Sequence, residues 1–481
     1  MLLALLPTAA NAHVGNKDVF EQIHAGPYTL FITIRPPNVI PGVASVEVRT
    51  SGPAITSLRI TPIPLTGEAS KHPPASDAMQ RATSDLQFYT GSIWLMREGS
   101  WQVRFEVDGA AGPATAAVPV AAVPLSILPM QKPLGTLLAI LGLILALGMA
   151  GIVAAAVGES RLTPNTQPDP TRSRRSLIAF AVSFALVAFI IVLGAKWWNV
   201  EAAGYAADLY HPSDLHLSLE GSNLRLLIGD PDPKAPNGWQ PLHNSDLLLD
   251  HGHLMHLYAI RFPEMDAAFH LHPAPTGSKG LAEQLPAMPP GTYKLFADVV
   301  YLNGFPETEL ATLTIPANLS TAPLGPEDAS ATPAPLSSGD LGPAYKLPDG
   351  YALSWDRPAS ITANTAYSFR FTLLDPTGHP ATDMQPYLGM PGHAAFVKAD
   401  GSTFAHTHPD GSAAMPAVMM ANGGNDPDMD TTSMPGMSMP EPISSTVSFP
   451  YGFPSPGRYR IFIQMKHAST IETGVFDAEV K

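Results

Sequence analysis

Short segments in the first part of the chain alternate between hydrophobic and polar residues and end at proline or glycine. The clearest of them are residues 28–34, 45–49, 58–63, 92–96 and 101–107. A period of two places every second side chain on one face of a strand. Short strands separated by turns are typical of an antiparallel sandwich. The pattern therefore predicts a β-sandwich over residues 13–127.

Two longer segments are hydrophobic almost throughout. Residues 134–157 and 177–195 contain no charged side chain, and at about 1.5 Å per residue each is long enough to cross a hydrocarbon core of about 30 Å. The loop 158–176 between them has an excess of arginine, which by the positive-inside rule places it in the cytoplasm. We therefore expect a membrane hairpin in a bacterial inner membrane, with both flanking regions on the periplasmic side.

The first twelve residues, MLLALLPTAANA, have the apolar stretch and the small-x-small ending of a signal-peptidase site. Cleavage of this signal peptide, residues 1–12, would make His13 the first residue of the exported chain. Its amine and its Nδ1 could then chelate one metal, with His24 or His72 as a second imidazole. Such an N₃ arrangement suits Cu(II).

The region after the hairpin contains two similar blocks in the same order. HLYAIRFPEMDAAFHLHP begins at His256 and HAAFVKADGSTFAHTHP at His393, and each is followed by a G-x-Y-[KR]-[LI]-F strand, at Gly291 and at Gly457. Matched blocks in one order indicate a repeat. We predict two related sandwiches, 204–318 and 344–481, joined by a Pro/Ser/Ala-rich linker, 319–343. The predicted fold is mainly β, with three exported Ig-like or cupredoxin-like antiparallel β-sandwich domains plus a two-helix transmembrane hairpin.

Three histidines of the last block are predicted to converge. His406 and His408 are two positions apart, so both point to one face of a strand. A two-residue turn at Asp400-Gly401 would pair Ala399 with Ser402, so that His393 faces His408 directly and lies diagonal to His406. The spacing therefore predicts a metal site at His393, His406 and His408.

The middle block repeats this spacing at His256, His270 and His272, with His256 opposite one of the other two. His251 and His253 add two imidazoles upstream, but His253 is an odd number of positions from His256. A regular strand would turn it to the opposite face, so a bulge would be needed to join all five. Imidazole suits zinc, copper, nickel or iron, and histidines alone do not choose among them.

Seven methionines lie between Met415 and Met439, in a stretch rich in Gly, Pro, Asn and Asp. From this composition we expect neither a helix nor a packed core there. Thioether sulfur selects Cu(I), and MPGMSMP offers Met434, Met437 and Met439 within six residues. The stretch is therefore predicted to be a Cu(I)-binding loop, with low-complexity drift as the alternative.

Composition narrows the chemistry further. The net charge is −14, which argues against a nucleic-acid partner because phosphate binding needs clustered Lys and Arg. The chain has no cysteine but 16 His and 18 Met, so metal chemistry must rest on His, Met and carboxylates. No catalytic motif is found, and no catalytic residue is predicted.

The block GMPGHAAFVKADGSTFAHTHP, with the strand GRYRIFIQMKH, resembles the secreted YtkA-like and heavy-metal-associated β-sandwich proteins of bacteria. Their signature is G-H-x-x-x-[VL]-[RK] … H-x-H-P followed by a G-x-Y-[KR] strand. A terminal histidine on a β-sandwich is similar to CopC-like copper carriers. The middle block departs from the signature, with DHGHLMH in place of GMPGH, which makes its metal preference more open. The overall layout resembles the B subunit of particulate methane monooxygenase, as an analogy of architecture only.

The leading hypothesis is a membrane-anchored periplasmic copper-binding protein that serves tolerance, storage or delivery, with zinc as the alternative metal at the histidines. The expected partners are the metal ion, the lipid bilayer and other membrane or periplasmic proteins. One alternative function is a subunit of a copper oxygenase or oxidase that uses His13. The other is a non-catalytic structural subunit of a membrane assembly.

Overall fold

A computed structural model describes residues 18–160, 162–163, 166–232, 234–235, 239–319, 321–423 and 443–481. The protein is mainly β, with 43% of its residues in strands that form six antiparallel sheets, and 19% in helices. The chain divides into one unit made of residues 1–123 and 211–481 and a second made of residues 124–210.

Residues 18–123 form two sheets that enclose one core, here called the N-terminal sheet pair. Its strands are β1 (Val19–Ala25), β2 (Tyr28–Arg35), β3 (Gly42–Ser51), β4 (Ile55–Pro64), β5 (Asp77–Ala78), β6 (Gln80–Arg81), β7 (Phe88–Leu95), β8 (Gly99–Gly109) and β9 (Ala114–Ala122). The sheet orders are β1-β2-β3-β7-β6 and β5-β4-β8-β9. All five strands predicted here are confirmed, because their alternating side chains fill the shared core.

The unit 124–210 contains two long helices, α1 (Lys132–Glu159) and α2 (Pro170–Ala207). Both predicted hydrophobic segments are confirmed as helical, and both helices are long and apolar enough to cross a membrane. They are longer than predicted, since α2 begins within the arginine-rich loop and continues past Trp197 and Trp198. Asp169 accepts a hydrogen bond from the backbone N–H of Arg172 at 2.8 Å and caps the start of α2.

Residues 211–331 form the middle sheet pair, which again encloses one core. Its strands are β10 (Asp214–Glu220), β11 (Asn223–Asp230), β12 (Gln240–Pro241), β13 (His256–Arg261), β14 (Ala268–Leu271), β15 (Ala274–Pro275), β16 (Leu281–Gln284), β17 (Gly291–Val300), β18 (Pro306–Ile315) and β19 (Ala329–Ala331). One sheet has the order β10-β11-β16-β15, with β12 beside β11, and the other has the order β18-β17-β13-β14-β19. The segment predicted to be a linker, 319–343, thus contributes β19 to this sheet.

Residues 344–481 form the C-terminal sheet pair and its core. Its strands are β20 (Ala344–Lys346), β21 (Ala352–Trp355), β22 (Tyr367–Leu374), β23 (Met384–Gln385), β24 (His393–Lys398), β25 (Phe404–Thr407), β26 (Thr446–Tyr451), β27 (Gly457–His467) and β28 (Thr470–Val480). One sheet has the order β20-β21-β22-β26, and the other has the order β23-β27-β24-β25, with β28 also beside β27.

One expectation about the methionine stretch is wrong. Residues Met415–Ala421 form a helix, α3, and Met415 and Met419 are buried against Met390. The glycines, asparagines and aspartates that led us to exclude a helix are concentrated from Asn422 onward. The sequence MPAVMMA itself places proline in the first turn, where it is tolerated, and follows it with good helix formers.

Candidate metal centre

The strands that carry the histidines are buried on both faces. In β13, Leu257 and Ala259 face the core of the middle sheet pair, whereas Tyr258 and Ile260 pack against the C-terminal sheet pair. In β24, likewise, Ala394 and Phe396 face the core, and Ala395 and Val397 face the middle sheet pair. The two sheets therefore contact each other through their outer faces. His256 is two positions before Tyr258, and His393 is two positions before Ala395. Side chains two positions apart point to the same face of a strand, so both histidines lie in this contact.

The histidines of the C-terminal sheet pair converge as the spacing predicts. Ala394 pairs with Thr407 and Ala395 with His406, which is the predicted register. The turn differs, because Lys398 and Thr403 close it, leaving four residues instead of two. Both turns have an even number of residues, so the facing pairs are unchanged. His393 Nδ1 lies 3.2 Å from His406 Nε2, and the ring of His408 is 5.1 Å from that of His393.

The middle sheet pair repeats the arrangement. Leu257 pairs with Leu271 and Tyr258 with His270, which places His256 opposite His272. The two rings are 5.0 Å apart. His256 Nδ1 lies 3.1 Å from His270 Nε2, close to the corresponding distance in the other copy.

His251 and His253 also reach this contact, through a tight turn and not through a bulged strand. Asp250 and His253 exchange two backbone hydrogen bonds, and between them His251 and Gly252 have positive φ angles of 51° and 85°. A tight turn reverses the chain. The expectation that His253 points away from His256 holds only for a regular strand, so it does not apply here. Gly252 was the available sequence signal, since glycine adopts positive φ without strain. The ring of His253 lies 4.2 Å from that of His272, and His251 lies 4.7 Å from His408.

The two sets of histidines merge into one group across the contact. The rings of His256 and His406 are 5.2 Å apart, and those of His251 and His393 are also 5.2 Å apart. The ligand atoms of His256, His270 and His406 lie within 4.8 Å of one another, and so do those of His393, His406 and His408. His406 therefore belongs to both triads. We call the whole group the eight-histidine cluster; it consists of His251, His253, His256, His270, His272, His393, His406 and His408.

Burial favours the neutral form of six imidazoles of the cluster. Loss of water lowers the pKa of His256, His270, His393 and His408 well below its usual range, and neighbouring imidazoles lower it further. Burial also lowers the pKa of His251 and His272, although the carboxylates of Asp250 and Asp328 partly oppose this. Neutral imidazole is the form that binds metals.

The hydrogen bonds around the cluster assign a tautomer to four of its rings. His256 Nε2 lies 3.0 Å from the carbonyl oxygen of Asp250, so this nitrogen carries the proton and Nδ1 keeps its lone pair. His270 Nδ1 lies 2.8 Å from Gln464 Oε1, so its Nε2 also keeps a lone pair. Two lone pairs therefore face each other at 3.1 Å.

The same assignment holds in the C-terminal copy. His393 Nε2 donates to the carbonyl oxygen of Tyr387 at 3.2 Å, and Asp298 Oδ2 lies 3.4 Å from His406 Nδ1. With the Nδ1 proton of a neutral His406 directed at Asp298, His393 Nδ1 and His406 Nε2 would present lone pairs to each other. Two facing lone pairs repel, but a shared cation turns the contact into attraction. Nitrogen ligands about 2.0 Å from one metal are separated by roughly 3 Å, as observed here.

Further ring nitrogens are available as ligands. Within the described residues, neither nitrogen of His251 or His408 makes a hydrogen bond, and His272 Nε2 makes none. Each buried polar atom without a partner costs about 1–3 kcal/mol, which a metal ligand bond would offset. Asp328 lies 3.0 Å from His272 Nδ1 and Glu327 lies 3.1 Å from His253 Nε2, so acidic side chains orient the outer rings.

The remaining predicted ligands lie outside the cluster. His24 is exposed, and its Nδ1 lies 3.3 Å from the hydroxyl of Thr29. His13, Met434, Met437 and Met439 lie outside the described residues. The sequence interpretation did not identify the orienting groups of the cluster, which are the carbonyls of Asp250 and Tyr387 and the side chains of Asp298, Glu327, Asp328 and Gln464. Nor did it identify a second group, Asp349, His467 and Glu472, because Asp349 is more than a hundred residues from the β27–β28 hairpin that carries the other two.

Comparison with known proteins yields one family. Residues 346–481 match the family described as "Domain of unknown function (DUF8832)", which covers most of the C-terminal sheet pair. No curated protein matches the chain.

Similarity to solved structures is weak. An engineered protein is 18% identical over 20% of this chain and 21% of its own, with a TM-score of 0.16, so the chain spans about a fifth of that protein. A bacterial ice-binding adhesin is 7% identical over 95% of this chain and 99% of its own, with a TM-score of 0.14. Alpha-2-macroglobulin from E. coli is 10% identical over 96% of this chain and 25% of its own, with a TM-score of 0.16. Scores this low carry no argument about fold or function.

Proposed function

We propose that this chain is a membrane-anchored periplasmic copper-binding protein, in which the eight-histidine cluster holds the metal for tolerance, storage or delivery. The observation that carries the proposal is the pair of short contacts between buried imidazole nitrogens, at 3.1 Å and 3.2 Å, in two copies of one strand arrangement. A buried group of neutral imidazoles without a cation leaves ring nitrogens unpartnered. A metal ion bound by these nitrogens would remove the energetic cost of burying them without a partner.

The proposed layout follows the sequence interpretation. Each sheet pair is an Ig-like or cupredoxin-like sandwich domain, and α1 and α2 anchor the chain in a bacterial inner membrane with the sandwiches on the periplasmic side. The arginines before α2 support this orientation, since arginine-rich loops stay in the cytoplasm. In this layout the cluster would meet metal ions outside the cytoplasm.

Copper is favoured over zinc by the ligands available near the cluster. A zinc site is complete with four ligands, whereas this cluster offers eight imidazoles. Met390 occupies the position in the C-terminal turn that His253 has in the middle turn, and it packs against Met415 and Met419. Thioethers bind Cu(I) and imidazoles bind both copper oxidation states. The predicted Cu(I) loop at Met434, Met437 and Met439 follows α3 directly in the sequence.

Elemental analysis of the full chain tests the proposal. The protein is purified in detergent, stripped with chelator and offered Cu(I), Cu(II) or Zn(II) in separate titrations. We expect tight copper binding that is lost when His256 and His393 are both replaced by alanine. A matched control replaces His24 and His72, which are exposed, and should keep its copper. Equal copper content in all three proteins would overturn the proposal.

A further inference from the structure

A second group of metal-ligating side chains lies apart from the eight-histidine cluster, at the end of the β27–β28 hairpin. His467 is the last residue of β27 and pairs with Thr470, and Met465 pairs with Glu472. His467 and Glu472 are therefore diagonal neighbours on one face of the sheet. Asp349 reaches the same point from the turn between β20 and β21. The ligand atoms of Asp349, His467 and Glu472 lie within 4.8 Å of one another.

The imidazole of His467 is held in one orientation. Its Nδ1 donates to Asp383 Oδ2 at 3.4 Å, and Asp383 also accepts a hydrogen bond from the hydroxyl of Tyr351 at 3.2 Å. The Tyr351 ring stacks on the imidazole with the ring centres 3.9 Å apart. A carboxylate that accepts from one imidazole nitrogen while the other faces a metal is the usual outer-shell arrangement of histidine ligands.

The other nitrogen of His467 faces carboxylates without a hydrogen bond. His467 is 3% exposed, and its Nε2 lies 3.0 Å from Asp349 Oδ2. The contact lacks hydrogen-bond alignment, and within the described residues Nε2 has no other partner. With the proton on Nδ1, the Nε2 lone pair meets a carboxylate oxygen directly. Ligands that share one metal ion adopt this relation at roughly 3 Å.

The negative charge of the carboxylates around His467 is also not balanced by lysine or arginine among the residues that the structure describes. In the described part of the chain no lysine or arginine forms an ion pair with Asp349, Asp383 or Glu472. Burial and the neighbouring Asp349 raise the pKa of Glu472 to about 7. Asp349 and Asp383 are about one-third exposed, so the group opens to solvent on that side and a hydrated ion has an entry path.

The middle sheet pair provides an internal comparison. Counted from Gly291 and Gly457, Tyr301 occupies the position of His467. Glu307 corresponds to Glu472 through strand pairing, because Val299 pairs with Glu307 and Met465, at the same count, pairs with Glu472. There the Tyr301 hydroxyl donates to Glu307 Oε2 at 2.7 Å, so a proton satisfies the carboxylate. A neutral imidazole whose proton points to Asp383 has no proton left to donate to Glu472.

We propose that Asp349, His467 and Glu472 bind a divalent cation of the zinc or manganese class, with Asp383 as the orienting group. Two carboxylates and one imidazole suit these ions and disfavour Cu(I), which prefers thioether or thiolate ligands. The site lies apart from the eight-histidine cluster and shares none of its residues. The inference therefore goes beyond the proposed copper function.

The test titrates the chelator-stripped full chain with Mn(II), followed by electron paramagnetic resonance, and with Zn(II), followed by elemental analysis. We expect Glu472→Gln to weaken binding at one Mn(II) site at least tenfold, and His467→Gln to do the same. Glu479→Gln changes an exposed carboxylate on the same strand and should bind like the parent. Thermal melts in the presence of chelator show whether each variant remains folded.

The outcomes separate this inference from the proposed function. Unchanged Mn(II) and Zn(II) binding in both variants would show that the group is an ion-paired imidazolium only, and would overturn the inference. Copper uptake by the eight-histidine cluster should be the same in parent and variants. Failure of copper uptake in the parent, with Glu472-dependent Mn(II) binding intact, would overturn the proposed function alone.

Discussion

The middle and C-terminal sheet pairs place imidazoles at corresponding positions but surround them with different residues. His256, His270 and His272 correspond to His393, His406 and His408, and in both copies the first histidine contacts the carbonyl six residues earlier. The turn before it carries His251 and His253 in the middle copy, but Leu388 and Met390 in the C-terminal copy. Strand register thus fixes where the shared histidines lie, whereas the turns decide which further side chains join them.

The other end of the same sheets shows a second difference. The Tyr301 hydroxyl donates hydrogen bonds to two buried glutamates, Glu307 and Glu309, in the middle copy. The C-terminal copy has His467 in place of Tyr301, and the carboxylates around it are Glu472, Asp349 and Asp383. The two sheet pairs therefore share one set of histidine positions and differ at a second position, where Tyr301 of the middle sheet pair corresponds to His467 of the C-terminal one.

Acid should destabilise the two histidine-bearing sheet pairs more than the N-terminal sheet pair, because the described histidines of the N-terminal sheet pair are exposed. Six cluster imidazoles have lowered pKa values in the folded chain. Below pH of about 6.5 the unfolded chain binds protons that the folded chain does not, so stability falls by up to about 1.4 kcal/mol per pH unit for each imidazole. This is the largest expected effect.

Hydrogen exchange of the metal-free full chain at pH 7 and pH 5 provides the measurement. Amides of β13 and β24 should lose protection at pH 5, while those of β4 and β8 keep it. Adding copper at pH 7 should increase protection in β13 and β24 together. Equal protection of all four strands at both pH values would contradict the argument from burial.

Sequence reasoning predicted which histidines lie together within each copy, because their positions depend on local strand pairing. Asp400-Gly401 indicated a turn with an even number of residues, and this was enough to place His393 with His406 and His408. The contact between copies depends on the outer faces of two sheets, which no local pattern specifies. A signal was present in HLYAI and HAAFV, since strands buried on both faces lack hydrophobic–polar alternation. His251 and His253 were among the predicted candidates, but the tight turn that brings them to the other histidines was not predicted, because Gly252 permits a chain reversal that the strand-parity argument ignores.

Replacing His406 by alanine tests whether the two copies act as one centre. His406 belongs to both triads, whereas His408 belongs only to the C-terminal one. We expect His406→Ala to weaken copper binding about 100-fold, equivalent to about 2.7 kcal/mol, and to reduce metal retention in both copies. His408→Ala should affect only the C-terminal copy. If the two variants lose the same amount of copper, the copies bind metal independently.

Exchanging the turn residues between the copies sharpens the comparison of ligand types. His253→Met gives the middle turn a thioether, and Met390→His gives the C-terminal turn an imidazole. The first change should raise the preference for Cu(I) over Zn(II) by about tenfold, and the second should lower it by a similar factor. Competition titrations with a Cu(I) chelator and a Zn(II) chelator measure both. A preference that does not move in either variant would show that the turn residues are not ligands.

The smallest expected effect concerns Glu309, next to Tyr301 in the middle copy. Burial, reinforced by Glu307, raises the pKa of Glu309 to about 11. Between pH 4.5 and that value the folded chain keeps a proton that the unfolded chain releases. The contribution of this group to the free energy of unfolding therefore falls as pH rises. Glutamine is uncharged in both states and retains an oxygen for the Tyr301 hydroxyl. Glu309→Gln should therefore stabilise the middle sheet pair by about 1 kcal/mol at pH 8, with the gain shrinking towards pH 5. Denaturant unfolding at the two pH values measures it. Destabilisation at pH 8 would instead mean that Glu309 is ionised and balanced by a cation, as inferred for Glu472, and the two copies would then share this chemistry.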